Sequence, residues 1–231
     1  MRFRDRRDAG RALAASLTSY ADRPDVIVLA LPRGGVPVGY EVADALHVPL
    51  DVFLVRKLGA PGNEELAMGA IASGGVRVIN RDVVEGSSIS PATIDAVAAA
   101  EARELERRER EYRDDRPAPT IENQVVILVD DGLATGATMR AGLVALRMKR
   151  PLRLVAGVPV APALTCQELR AIADEVVCVE TPEPFYGVGL WYDDFTPTSD
   201  AEVRELLRLV GARAHAPSMD YGNPADSPDM Q

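Results

Sequence analysis

Two uninterrupted apolar runs constrain the fold more than any other feature of the sequence. Residues 26–31 read VIVLAL, and Val125–Val129 reads VVILV within a strand expected over 124–129. A strand exposed on one face alternates apolar and polar residues, whereas a strand covered on both faces does not. Further strands are expected at 50–55, 152–158 and 176–179. Helical periodicity fills the intervals at 5–20, 36–46, 136–147, 163–173 and 200–210, with Ala12, Leu13, Leu17 and Tyr20 forming one face of the first helix. Strands alternating with helices predict an α/β fold: a parallel sheet flanked by helices and wound with right-handed crossovers. In such sheets ligands bind beyond the carboxyl ends of the strands.

The middle of the chain departs from this alternation. Residues 58–65 (LGAPGNEE) have the composition of a mobile loop. Residues 66–71 and Val76–Ile79 flank Gly74 and Gly75 and predict a hairpin. Pro91–Arg113 predicts a long helix, with Ser90 as N-cap and Pro91 in the first helical position. Its second half mixes Glu and Arg as a solvated, ion-paired face. The residues after about 212 are rich in Pro, Asp and Ser and predict a disordered tail over 213–231.

Composition excludes several function classes. The net charge of −9 argues against general nucleic-acid binding, and any anionic ligand must be held by local geometry. Only two histidines occur, which leaves little room for a Ser-His-Asp or His-metal mechanism, and no nucleophile elbow is present. Two cysteines, Cys166 and Cys178, are too few for a disulfide framework and are expected to be reduced, packed thiols. The N-terminus has no apolar signal segment, and no apolar run reaches the ~20 residues a membrane span requires. A cytoplasmic protein is expected, with neither nucleic acid nor membrane as partner.

The strongest chemical signal is VVILVDDGLATGATM, residues 125–139. A buried strand runs into Asp130 and Asp131, and a Gly/Thr loop then opens a helix. Backbone N–H groups at such a helix start cradle a phosphate, Thr135 and Thr138 add hydroxyls, and glycine admits close approach. Two carboxylates beside a phosphate suit ribose hydroxyls, or a metal reached through water. The GK[ST] ending of a Walker loop and the GxGxxG of a dinucleotide site are both missing. The segment LPRGG, residues 31–35, places a cation and two glycines at another strand end, which suits a diphosphate.

These segments resemble the type I phosphoribosyltransferase family, and residues 125–138 match its diphosphate-sugar signature throughout. The resemblance implies that Asp130 and Asp131 hold the ribose hydroxyls, with Gly132 and Leu133 as the variable pair. Ala134, Thr135, Gly136, Ala137 and Thr138 would bind the 5-phosphate. Arg33, Gly34 and Gly35 correspond to the pyrophosphate loop, where the family often has a cis peptide; here Pro32–Arg33 would carry it. Arg56 and Lys57 would supply charge to a mobile loop that closes over the diphosphate. Five of the eleven aromatic residues lie in 182–195, which resembles the family's hood. Phe185 or Tyr186 would stack on a base, with Trp191 close by.

The family also implies Mg²⁺, faced by Asp130 and Asp131, with Asp193 a further candidate, and a homodimer is expected. Purine-using members carry an acid where this chain has Ala134, so the acceptor proton would fall to Glu64, Glu65, Asp193, Asp194 or water. The expected layout is one domain over 1–212, with a helical insertion at 80–119 and a small hood at 180–198. Its function would be transfer of the 5-phosphoribosyl group from phosphoribosyl diphosphate to a small-molecule base or related nucleophile. The alternative is a non-catalytic module that senses the diphosphate or a nucleotide.

Overall fold

The fold, in a computed structural model, is described over residues 2–114 and 116–214, without the side chains of 211–214. Five parallel strands build the main sheet: β1 (Val26–Ala30), β2 (Leu50–Val52), β6 (Val125–Val129), β7 (Arg153–Val160) and β8 (Glu175–Glu180). Their order is β2-β1-β6-β7-β8. The two apolar runs become the neighbouring central strands β1 and β6, paired from Val26↔Val125 to Ala30↔Val129.

Because side chains alternate across a strand, each run feeds both faces of the sheet. Val28, Ala30, Ile127 and Val129 pack with Leu13 and Leu17 of α1 (Arg6–Ala15) and its exit, Val38 and Val42 of α2 (Gly35–Leu46), and Leu206 of α7 (Asp200–Ala214). Ile27, Leu29, Val126 and Leu128 pack on the opposite side with Leu143 and Leu146 of α5 (Ala137–Met148) and Leu169 of α6 (Ala163–Leu169).

A second, antiparallel sheet has the order β3-β4-β5, formed by β3 (Val55–Ala60), β4 (Asn63–Ala72) and β5 (Val76–Ile79). Gly74 and Gly75, at φ of +79° and +75°, make the expected turn between β4 and β5. Two expectations are corrected here. The segment 50–55 is not one strand: β2 pairs with β1, while Val55 already pairs with Ala72 in the other sheet. The segment 58–65 is not an irregular loop but the end of the β3–β4 hairpin, reversed at Pro61 and Gly62, with Gly62 at φ +77°. Pro fixes the first turn dihedral and Gly supplies the positive φ of the second, so residues that read as loop composition serve a two-residue turn.

α3 (Arg81–Gly86) and α4 (Pro91–Arg113) follow. Ser90 caps α4 by accepting from Thr93 N at 3.2 Å. Leu105 and Tyr112 of α4 bury against the same cluster as Leu58, Met68 and Ile71 of the hairpin, so the helix is integral to the packing. On its outer face Arg107 pairs with Glu111 at 3.0 Å and Arg108 with Glu104 at 2.8 Å.

The cysteine expectation is overturned. Cys166 of α6 and Cys178 of β8 are joined as a disulfide, with Cα atoms 6.7 Å apart. α6 folds back onto β8, and that adjacency is invisible in a count of two thiols. The bond removes the thiol argument for a cytoplasmic location. Among the described residues no helix is long and apolar enough to cross a membrane. Of the expected tail, 213 and 214 lie within α7, and 215–231 fall outside the described residues.

Candidate active site

The in-register pairing of β1 and β6 brings their two exit loops together. Leu31 N donates to Val129 O at 2.9 Å. The next residues meet as a packed joint, with the Pro32–Arg33 peptide bond cis. A Cβ on Gly35 would stand 2.9 Å from Val129 O, and one on Gly34 would stand 2.1 Å from Asp131 Oδ2. The absence of side chains at 34 and 35 is what lets the LPRGG loop lie against the two carboxylates.

Gly34 has φ −60°, which any residue adopts, so a side chain there would be opposed by the Asp131 carboxylate and not by the backbone. Gly34→Ala is therefore expected to displace the Asp131 carboxylate and to destabilise the fold by about 1–3 kcal/mol, the cost of overpacking a filled site. Thermal unfolding of the variant checks this, and an unchanged transition would mean that the two loops do not bear on one another.

Asp130 Oδ1 accepts from Asp131 N at 2.9 Å. Burial, and then the neighbouring Asp131, push the Asp130 carboxyl well up from its usual range. Burial also raises Asp131, opposed by Arg6, whose Nε donates to Asp131 Oδ2 at 2.7 Å. Tyr192 OH donates to Asp131 O at 2.5 Å, and burial followed by the Asp131 charge holds the phenol far above its ordinary value. Neither Arg6 nor Tyr192 stands out in the sequence. Both reach Asp131 from distant segments, and no local spacing signals it.

The phosphate-type loop is open. Ala134, Thr135, Ala137 and Thr138 are exposed, and Gly136, at φ +68°, starts α5. The first amides of a helix have no partner within it and are available to an anion. Leu133 is different: its side chain is in the core, and its N–H donates to Val160 O at 3.0 Å. Thr165 Oγ1 donates to Ala134 O at 3.0 Å and so fixes the loop from α6. A cavity of about 590 Å³ joins Thr135 and Thr138 to Lys57, Arg140 and Glu168, over a floor that includes Val78 and Val144.

The other candidate residues divide. Arg33 is exposed and lies 3.8 Å from Asp200. Lys57 sits 3.4 Å from Glu65 at the hairpin end. Arg56 is tied to Glu101 of α4 and is not a free cation. Phe185 and Trp191 pack against a small cluster with Phe3 and Tyr192, while Tyr186 is 81% exposed. Asp193 is exposed and pairs with Arg2 at 3.5 Å. Asp194 accepts from Thr196 N and Oγ1, which lowers its carboxyl and makes it a weak base. Among the described residues no three Asp, Glu, His or Cys side chains gather as a metal cage, so Asp193 does not join Asp130 and Asp131. A pair of carboxylates does fit Mg²⁺, which binds through one or two carboxylates together with substrate phosphates and water.

A crossover-wound parallel sheet carrying this joint at two strand ends defines a phosphoribosyltransferase-type protein. The chain belongs to the phosphoribosyl transferase domain family, whose model matches residues 4–192. Two Mycobacterium tuberculosis proteins, from strains CDC 1551 / Oshkosh and H37Rv, are each named "putative phosphoribosyl transferase". Both are 45% identical to this chain over 220 residues, covering 95% of it and 48% of their own length. The chain thus spans about half the length of these curated relatives. The crystal structure of TT1426 from Thermus thermophilus superposes with a TM-score of 0.79 at 42% identity, covering 90% of this chain and 98% of that one.

Proposed function

We propose that the chain transfers the 5-phosphoribosyl group of phosphoribosyl diphosphate to a nitrogenous base or related nucleophile. The observation that carries this reading is the packing of Gly34 and Gly35 against Asp130 and Asp131, beside an open loop at the start of α5. A sugar bearing a diphosphate on C1 and a phosphate on C5 needs acceptors for its hydroxyls between two anion sites. This joint supplies that order.

In this reading Asp130 and Asp131 accept from the ribose hydroxyls. The amides of Ala134, Thr135, Gly136, Ala137 and Thr138, with the threonine hydroxyls, hold the 5-phosphate, and Gly132 lets the chain turn towards it. Arg33 and the amides of Gly34 and Gly35 hold the diphosphate. Lys57 adds charge from the β3–β4 hairpin. Asp130 and Asp131 would hold Mg²⁺, which would supply charge neutralisation to the diphosphate when bound.

The acceptor nitrogen forms a bond to C1 as the bond from C1 to the diphosphate oxygen breaks. The electron pair leaves with the diphosphate, and the acceptor proton passes to water or to an exposed carboxylate such as Glu64 or Glu65. The transition state has oxocarbenium character, so catalysis is positioning and electrostatics, with no covalent residue. Tyr186 is the ring with a free face for the base, whereas Phe185 and Trp191 brace the segment beneath it.

Arg33→Ala tests the diphosphate side. It is expected to weaken phosphoribosyl diphosphate by about tenfold or more, the scale of a lost charge-assisted hydrogen bond, and to leave ribose 5-phosphate nearly unchanged. Equal loss for both ligands in calorimetry would remove Arg33 from the diphosphate loop. Diphosphate release with some member of a panel of bases and amines supports transfer. Binding of phosphoribosyl diphosphate with no release across that panel would favour the sensing module.

A further inference from the structure

Arg6 is an unusual cation for its place. It opens α1 directly after the N-cap Asp5, and it is buried at 8% exposure. Its guanidinium makes three contacts in three directions. Nε donates to Asp131 Oδ2 at 2.7 Å, NH1 donates to Thr196 O at 2.7 Å, and Cζ lies over the Phe195 ring, 3.9 Å from its centroid. Around it the first residues are zipped to the same aromatic segment: Phe3 N donates to Trp191 O at 2.8 Å, Asp193 N to Phe3 O at 2.9 Å, and Asp194 N to Arg4 O at 2.8 Å.

Stability alone does not account for such a group. A buried Arg–carboxylate pair gives little or nothing over apolar residues of the same volume, because both charges must be desolvated. What the arrangement does provide is geometry. Fixing Oδ2 fixes the plane in which the other carboxylate oxygen accepts a hydrogen bond. A planar fork with a stacked face can hold a carboxylate, a carbonyl and a ring at once, which an ammonium cannot.

We infer that Arg6 is a positioning residue of the sugar site: it orients the Asp131 carboxylate towards the ribose 2-hydroxyl and fastens the 191–196 segment to it, so that hydroxyl acceptor and aromatic wall form one rigid body. The inference rests on the reading of Asp130 and Asp131 as the ribose-hydroxyl acceptors. Arg6 itself touches no substrate; it acts through Asp131.

The test compares ribose 5-phosphate with 2-deoxyribose 5-phosphate by calorimetry on the whole chain and on R6Q and R6K. The wild-type chain is expected to prefer the ribose ligand by about tenfold, the scale of one hydrogen bond to a charged acceptor. In R6Q that preference falls towards unity, and R6K restores part of it. General damage to the fold lowers both affinities together and leaves their ratio unchanged. A wild-type ratio retained in R6Q overturns the role of Arg6. A wild-type chain that binds both ligands equally overturns the sugar-acceptor reading itself, and the inference with it. Should R6Q fail to fold, F195L carries the same test, since it keeps both hydrogen bonds and removes only the stacked ring. A ratio lowered by at least about threefold supports the inference, that being the scale of a cation–ring contact, and an unchanged ratio overturns it.

Discussion

Arg113→Ala is expected to destabilise the fold by about 3–5 kcal/mol, the cost of stranding a buried charge by removing its partner. Arg113 sits at the end of α4 at 6% exposure. Its Nε donates to Asp51 Oδ1 at 3.1 Å and Oδ2 at 3.0 Å, its NH2 donates to Val52 O at 3.0 Å, and its NH1 pairs with Glu109 at 3.2 Å. The cation therefore bolts α4 to the carboxyl end of β2. For a domain of this size the loss corresponds to a fall of roughly 6–20 °C in Tm.

The effect has a pH signature. Burial raises the Asp51 carboxyl, and Arg113 opposes that rise. Without Arg113 the folded-state value moves further above the unfolded one, near 3.9. A carboxyl raised in the folded state adds no penalty below its unfolded value, and the penalty grows as pH climbs towards the raised one. The deficit of the variant should therefore be largest at neutral pH and shrink on acidification. Urea titrations of both proteins at neutral and acidic pH check this, and a deficit independent of pH would take Asp51 out of the account.

The same residue illustrates what the sequence could and could not reveal. The helix Pro91–Arg113 was legible from Ser90, Pro91 and its mixed charge, and that charge pattern makes every arginine look solvated. Most are, but Arg113 turns inward because Asp51 lies beneath it, and only the packed structure supplies that neighbour. The central sheet was legible because its strands are apolar on both faces, a pattern that solvent-facing strands do not show. The candidate site was legible where it is contiguous, in residues 31–35 and 125–138. It was illegible where it is assembled through space. Arg6 and Tyr192 meet Asp131 from remote segments, the two cysteines meet only once α6 folds back onto β8, and Arg56 is tied to Glu101. The β3–β4 hairpin was masked by its turn, since Pro61 and Gly62, followed by Asn63 at the start of β4, carry the same composition as a flexible loop.

The second large effect concerns the acidic pair. Asp130→Asn with Asp131→Asn keeps the volume of both side chains while removing the negative charge on which a ribose-hydroxyl acceptor and a water-mediated Mg²⁺ site both depend. Each hydrogen bond to a charged acceptor is worth about 1.5–3 kcal/mol, so losing two should weaken phosphoribosyl diphosphate by at least about a hundredfold. The fold should survive. Burial already raises both carboxyls, so the pair is held at a cost that neutral amides relieve, although Arg6 loses its anionic partner. The decisive measurement is calorimetric titration of phosphoribosyl diphosphate with Mg²⁺ into the wild-type chain and this double variant, each shown to be folded by its thermal transition. The account predicts saturable one-site binding in the wild type and none at the same concentrations in the variant; equal affinity in two folded proteins would contradict it.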